Sequence, residues 1–132
     1  MLIRSLLLSL SILFGGILFA QNEVKDQVVA AIGSGNAPGL SRHLVANVDL
    51  TVGSSSEYYS KAQAEQILRK FFAENEPQGL TIEHEGTSKV GDRYYIGRLK
   101  TAKGEYRVTF FLKKAEVFQV KQLRIEAGKT TP

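Results

Sequence analysis

The stretch Tyr59–Phe72, YSKAQAEQILRKFF, decides the fold. Ser60 is a preferred N-cap residue, Gln63 stands three residues on where a capping box places it, and Tyr59 can reach Ala64 as a hydrophobic staple. Ala64, Ile67, Leu68, Phe71 and Phe72 fall at i, i+3, i+4, i+7 and i+8, while Glu65, Gln66, Arg69 and Lys70 point elsewhere. The spacing predicts an amphipathic helix with one apolar face, and such a face needs a sheet to cover. The helix stops at Glu74-Asn75-Glu76-Pro77, because proline cannot continue it and disfavours helical geometry at the residue before.

Downstream, the required sheet is legible. Leu80, Ile82, His84 and Gly86 share one face by period two, against Thr81, Glu83, Glu85 and Thr87, which places His84 on the apolar side. Val90-Gly91-Asp92 reads as a turn. Arg93 to Thr101 is a strand with two mixed faces, Tyr95, Gly97 and Leu99 against Tyr94, Ile96, Arg98 and Lys100. After the hairpin signal Lys103-Gly104, Tyr106, Val108, Phe110 and Leu112 form a clear inner face. The last strand, Val117 to Glu126, changes parity between Phe118, Val120 and Leu123, Ile125, so a β-bulge is expected near Lys121.

Upstream, Val24, Val28, Ala31 and Ile32 have helical spacing, with Asn22 placed to cap the helix and Gly33-Ser34-Gly35 to stop it. Asn36 to Leu44 carries a capping Asn and an early Pro, which predicts a second short helix with Leu40 and Leu44 inside. Val48, Leu50 and Val52 alternate with polar residues as a strand that Gly53-Ser54-Ser55-Ser56 closes. A polar loop is then expected before the organising helix. The order is helix, short helix, strand, long helix and four strands joined by short connections. The fold class is therefore α+β, with helices packed on a bent, mainly antiparallel sheet.

Residues 1–20 read as a cleaved signal peptide, with Arg4 as a short basic start, an uncharged apolar run from Leu6 to Phe19, and the small residue Ala20 at its end. The run is short for a membrane anchor, which needs about 20 apolar residues. With no cysteine in the chain, an acylated lipoprotein, disulfides and Cys-ligated metals are excluded. A periplasmic or secreted protein is expected, with one domain over 21–127 and a flexible tail over 128–132. Between residues 21 and 88 there are five basic and nine acidic residues, against ten and three between 89 and 124. The sheet half is the basic half. The small overall charge of +4 gives no argument for a nucleic-acid partner.

Several clusters together carry a resemblance: Gly35-Asn36-Ala37; the YSKAQAEQIL…FF helix; His84-Glu85-Gly86 with Ser88; Tyr95-Ile96-Gly97 with Leu99 and Thr101; Gly104 with Tyr106-Arg107-Val108; and Leu123-Arg124-Ile125-Glu126. The chain resembles the nuclear transport factor 2-like, or cystatin-like cone, superfamily, and within it a family of small secreted bacterial proteins of unknown function. The resemblance implies a fold, a compartment and a concavity between sheet and helices where related folds hold small ligands. It implies no activity.

For chemistry in that interior, His84 is the leading candidate, as a general base or a ligand-orienting donor. The plainer reading is a buried histidine bonded to a tyrosine hydroxyl or a backbone carbonyl. Tyr59, Tyr95 and Tyr106 join it as candidate ligand-binding residues, since aromatic rims with hydroxyl tips suit a mixed polar and apolar ligand; at strand and staple positions packing is the plainer reading. No carboxylate shares the face of His84, so no catalytic dyad is supported and no catalytic residue is assigned. His43 and His84 lie on separate elements without metal-ligand spacing, and Gly33-x-Gly35 lacks the lysine of a phosphate loop, so neither a metal nor another cofactor is expected. Arg98, Lys100, Arg107 and Lys113 fall opposite the apolar faces of their strands and form a candidate cationic surface for an anionic envelope component such as a lipid head group, glycan or acidic protein. A solvated face that discourages edge-to-edge aggregation is the alternative. The residues support a non-enzymatic binding or interaction module; the alternative is a small-molecule-binding or catalytic domain using the interior around His84. A homodimer through the exposed sheet is a further reading.

Overall fold

The computed structural model describes residues 20 and 22–128 of the chain. The expected leader falls outside these residues apart from Ala20, as does the tail beyond Gly128. A first helix, α1, runs over 22–34, so it takes in Asn22, the expected cap, and passes through Gly33 and Ser34 before ending at Gly35. Gly35 ends it because its φ of +70° is open to glycine and costly for other residues. In α2 (Ala37–Ser41), Asn36 Oδ1 accepts a hydrogen bond from Gly39 N at 3.0 Å, the expected cap. Leu40 is buried inside it, and Leu44, also buried, opens the next strand.

Strand β1 (Leu44–Val52) turns at Gly53-Ser54 into β2 (Ser55–Ser60), and the expected polar loop is thus a strand. Its residues are exposed except Tyr59, so no apolar alternation marks it. Helix α3 (Lys61–Glu74) starts as expected: Gln63 N donates to Ser60 Oγ at 3.2 Å and Ser60 N to Gln63 Oε1 at 3.2 Å. Asn75 caps its other end, donating from Nδ2 to the Phe71 carbonyl at 3.1 Å. Strands β3 (Pro77–Thr87), β4 (Arg93–Thr101), β5 (Gly104–Lys114) and β6 (Phe118–Ala127) complete the chain.

The six strands form one sheet in the order β2-β1-β6-β5-β4-β3, antiparallel except for the parallel β1–β6 pair. The helices cover one face. Val28 and Ile32 of α1, Leu40 of α2, and Ala64, Leu68, Phe71 and Phe72 of α3 bury against Leu50, Tyr95, Leu99, Val108, Phe110, Leu112, Leu123 and Ile125 of the sheet. The mixed faces of β4 are thereby resolved, with Tyr95, Gly97, Leu99 and Thr101 inside. In β6 the bulge lies where the parity change puts it. Phe111 pairs with Gln122 and Leu112 with Val120, leaving Lys121 without a partner in the ladder. Lys121 Nζ instead closes on the buried Asp92 carboxylate, tying the β3–β4 turn to the bulge.

Strand β3 shifts register between Pro77 and Gly79 and again at Glu83, and the sequence does not predict the bulge at Glu83. Ile82 pairs with Gly97 and His84 with Ile96, so Glu83 is the extra residue and the alternation inverts after it.

Candidate functional site

The inversion at Glu83 decides where the polar candidates stand. Before it, Leu80 and Ile82 pack on the core; after it, His84 is exposed and faces away from the helices alongside Ile96. The expected place of His84 on the apolar side of the sheet is therefore corrected, and the reason is the extra residue in the ladder.

The tyrosines are equally dispersed. Tyr95 is fully buried and stacks on Phe110 with ring centroids 5.0 Å apart, and Lys25 Nζ stands 5.9 Å from its ring centroid. Tyr106 packs edge-on against Phe71 at 5.0 Å, and its hydroxyl donates to Asn75 Oδ1 at 2.9 Å, locking the helix cap to the sheet. Tyr59, on β2, lies partly buried against the core. Tyr95, Phe110 and Phe71 are buried in the core under the helices with Tyr106 packed against them, and the structure does not gather Tyr59, Tyr95, Tyr106 and His84 into one interior site.

A groove of about 880 Å³ opens instead on the face of the sheet that the helices leave bare, lined among others by Glu83, His84, Arg98, Glu105, Arg107 and Glu126. The ladder builds it. Arg98 of β4 stands directly across from Arg107 of β5, and Arg107 directly across from Glu126 of β6, so two guanidiniums and a carboxylate follow one another over three strands with side chains about 5 Å apart at their bases. Arg98 Nε lies 3.3 Å from Glu83 Oε1 and its Nη1 3.6 Å from Glu105 Oε2. Glu126 turns to Arg124, with Oε1 3.2 Å from Nε. No carboxylate among the described residues lies within ion-pair distance of Arg107. At the end of the groove Gly128 N donates to the Glu105 carbonyl at 3.0 Å, extending the sheet one residue past β6.

Of the expected cationic set, Arg98, Lys100, Arg107 and Lys113 are all exposed. The surface is not uniformly cationic, since Glu105 stands opposite Lys100 in the ladder and Glu83, Glu105 and Glu126 share the groove with the two arginines. Glu83 and Glu126 reach the groove through cross-strand register, which spacing along one strand does not give, whereas Glu105 shares the face of Arg107 by period two within β5. Among the described residues no group of three or more His, Asp and Glu side chains could hold a metal ion, and no helix is long and apolar enough to cross a membrane. A smaller concavity, of about 290 Å³, lies where Gly35, Pro38, Phe72 and Pro77 meet Arg69 and Glu76.

Comparison with known proteins places this geometry in a lineage. Residues 25–126 match the family model described as Domain of unknown function (DUF4783). The chain is similar to a DUF4783 family protein from Bacteroides fragilis YCH46 at 32% identity and a TM-score of 0.72, over 77% of this chain and 96% of that one. A DUF4783 family protein from Bacteroides uniformis matches at 28% identity and a TM-score of 0.73, covering 79% of this chain and 96% of that one. A domain of unknown function with a cystatin-like fold from Nostoc punctiforme shares the fold, at 10% identity and a TM-score of 0.64 over 82% of this chain and 75% of that one. None of the curated proteins matches it. The fold is the α+β cone that the resemblance implies, shared with the cystatin-like neighbour.

Proposed function

The chain belongs to the DUF4783 family, and from that premise we propose that it is a non-enzymatic binding module of the bacterial envelope, working through the groove on the bare face of the sheet. The observation that carries the reading is Arg107, a guanidinium set in the middle of that groove with no carboxylate among the described residues inside ion-pair range. A buried or enclosed guanidinium is normally paired, whereas one exposed in a concavity is available to a ligand's anionic group. The groove's volume is that of a small-ligand site. The interior alternative loses its leading residue, since His84 faces the other way and Tyr95 is spent on core packing.

The envelope destination rests on residues 1–20, whose basic start, apolar run and terminal Ala20 have the form of a cleaved leader. Mass determination of the protein recovered from cells tests it: a chain starting at Gln21 supports it, and a chain retaining residues 1–20 refutes it. The binding reading is tested by a thermal-shift screen against envelope metabolites and anionic glycans at low and near-physiological salt. A ligand at 100 times its Kd stabilises by about 2.7 kcal/mol, a shift of several degrees for a domain of this size. Hits that vanish in Arg107→Gln support the groove; hits that survive it place binding elsewhere.

A second reading, a homodimer through the same face, is favoured by its aromatic content. Tyr94 and Phe111 stand there side by side at 5.5 Å, and Tyr58 is 68% exposed. Light scattering decides it, one-chain mass ruling the dimer out.

A further inference from the structure

We infer that the groove takes a zwitterion the size of a dipeptide rather than a purely anionic partner, an inference that rests on the groove being the binding surface. Its lining carries two guanidiniums, Arg98 and Arg107, against three carboxylates, Glu83, Glu105 and Glu126. A ligand with only negative charge gains at Arg107 and is repelled by Glu105 and Glu126 on either side. A ligand with only positive charge meets the reverse. Like charges brought into apposition cost more than an exposed pair returns, so the pattern selects against both.

Spacing along β5 sets the scale of the ligand. Glu105 and Arg107 are two residues apart on β5 and face the same side, which separates their bases by about 7 Å. Glu126 is the cross-strand neighbour of Arg107. An extended dipeptide spans about 7 Å from its ammonium to its carboxylate. With the carboxylate on Arg107, its ammonium is directed to Glu105, whose side chain is 46% exposed and stands 3.6 Å from Arg98 Nη1 through Oε2. Arg98 is already neutralised from two sides and serves as the wall that holds Glu105 in place.

The test is an amide-resolved NMR titration of the protein with alanyl-alanine, with its N-acetylated form and with its C-terminal amide. The inference predicts shifts at residues 105–107 and 126–128 on adding alanyl-alanine, an affinity about tenfold higher than for either capped form, and loss of that preference in Arg107→Gln. Equal binding of the N-acetylated form at the same amides overturns the zwitterion and leaves the groove as an anion site. Equal binding of the amide overturns it likewise. Failure of all three probes to move these amides, in a protein whose spectrum is otherwise that of the folded chain, overturns both the inference and the groove reading.

Discussion

Ile82 and His84, two residues apart on one strand, lie on opposite faces of the sheet. Ile82 pairs with Gly97 and packs on the core, whereas His84 pairs with Ile96 and is exposed in the groove. Glu83 is the residue that the ladder skips, and its carboxylate is the one that meets Arg98 Nε at 3.3 Å. One extra residue thus both removes the histidine from the interior and supplies the groove with a charge.

Deleting Glu83 is therefore tolerated. With the extra residue gone, regular alternation after Ile82 keeps His84 outside and Glu85 across from Tyr95, so no side chain changes face. The loss is one exposed ion pair, about 0.2–1 kcal/mol. Urea denaturation of the deletion variant is expected to give a midpoint close to that of the parent. A collapse of several kcal/mol would mean that β3 has no bulge and that the deletion throws its core residues outward.

Gly97→Ala is expected to be severe for so small a change. A Cβ at Gly97 would collide with the Thr81 carbonyl oxygen, which is backbone and moves only with β3 as a whole. Overpacking of this kind costs about 1–3 kcal/mol. Because β3 is an edge strand, hydrogen exchange should rise first at Thr81 and Ile82 while the β5–β6 amides stay protected.

Ser60→Ala removes the acceptor for Gln63 N and half of the capping box of α3. A loss of about 1 kcal/mol in chemical denaturation is expected. Ser60→Asp, which preserves an acceptor at the N-cap, should recover most of it.

Stability should fall as the pH drops from 7 towards 5, and His43 is the reason. Half-burial, then the charges of Arg42 and Lys61, hold its pKa below the ordinary 6.5. The folded state therefore binds fewer protons at this site than the unfolded chain, so its stability is complete above about 6.5 and is lost below it. His43→Gln should flatten that part of a Tm-against-pH profile. Glu65, whose pKa is lowered by the hydrogen bonds of Arg69 and then Ser41, acts in a separate window: its contribution is present above 4.5 and is lost as the pH falls through the lowered value.

The bulges at Lys121 and Glu83 show what the sequence could and could not reveal. At Lys121 apolar residues flank the break, Val120 on one side and Leu123 and Ile125 on the other, so the change of phase is visible as a change of parity. At Glu83 the apolar residues all precede the break. His84, Glu85 and Gly86 carry no hydrophobic phase to compare with Leu80 and Ile82, and simple alternation ran on through the bulge. Strand β2 was missed for a related reason, being a polar edge strand exposed nearly throughout. Helix α3 was plain because its cap and its apolar period agree. Alternation in β4 and β5 brings Arg98 and Arg107 to the outer face and Glu105 with them, but the meeting of Glu83 with Arg98 and of Glu126 with Arg107 depends on register across strands, which no single strand encodes.

The most direct test of the account compares two variants, Arg107→Gln in the groove and Tyr95→Phe in the core, for the thermal shift produced by a ligand from the envelope screen. The account predicts that Arg107→Gln keeps the melting temperature of the free protein and loses the shift, while Tyr95→Phe keeps the shift in whatever stability remains. A shift that survives Arg107→Gln and disappears in Tyr95→Phe would contradict it and return the site to the space beneath the helices.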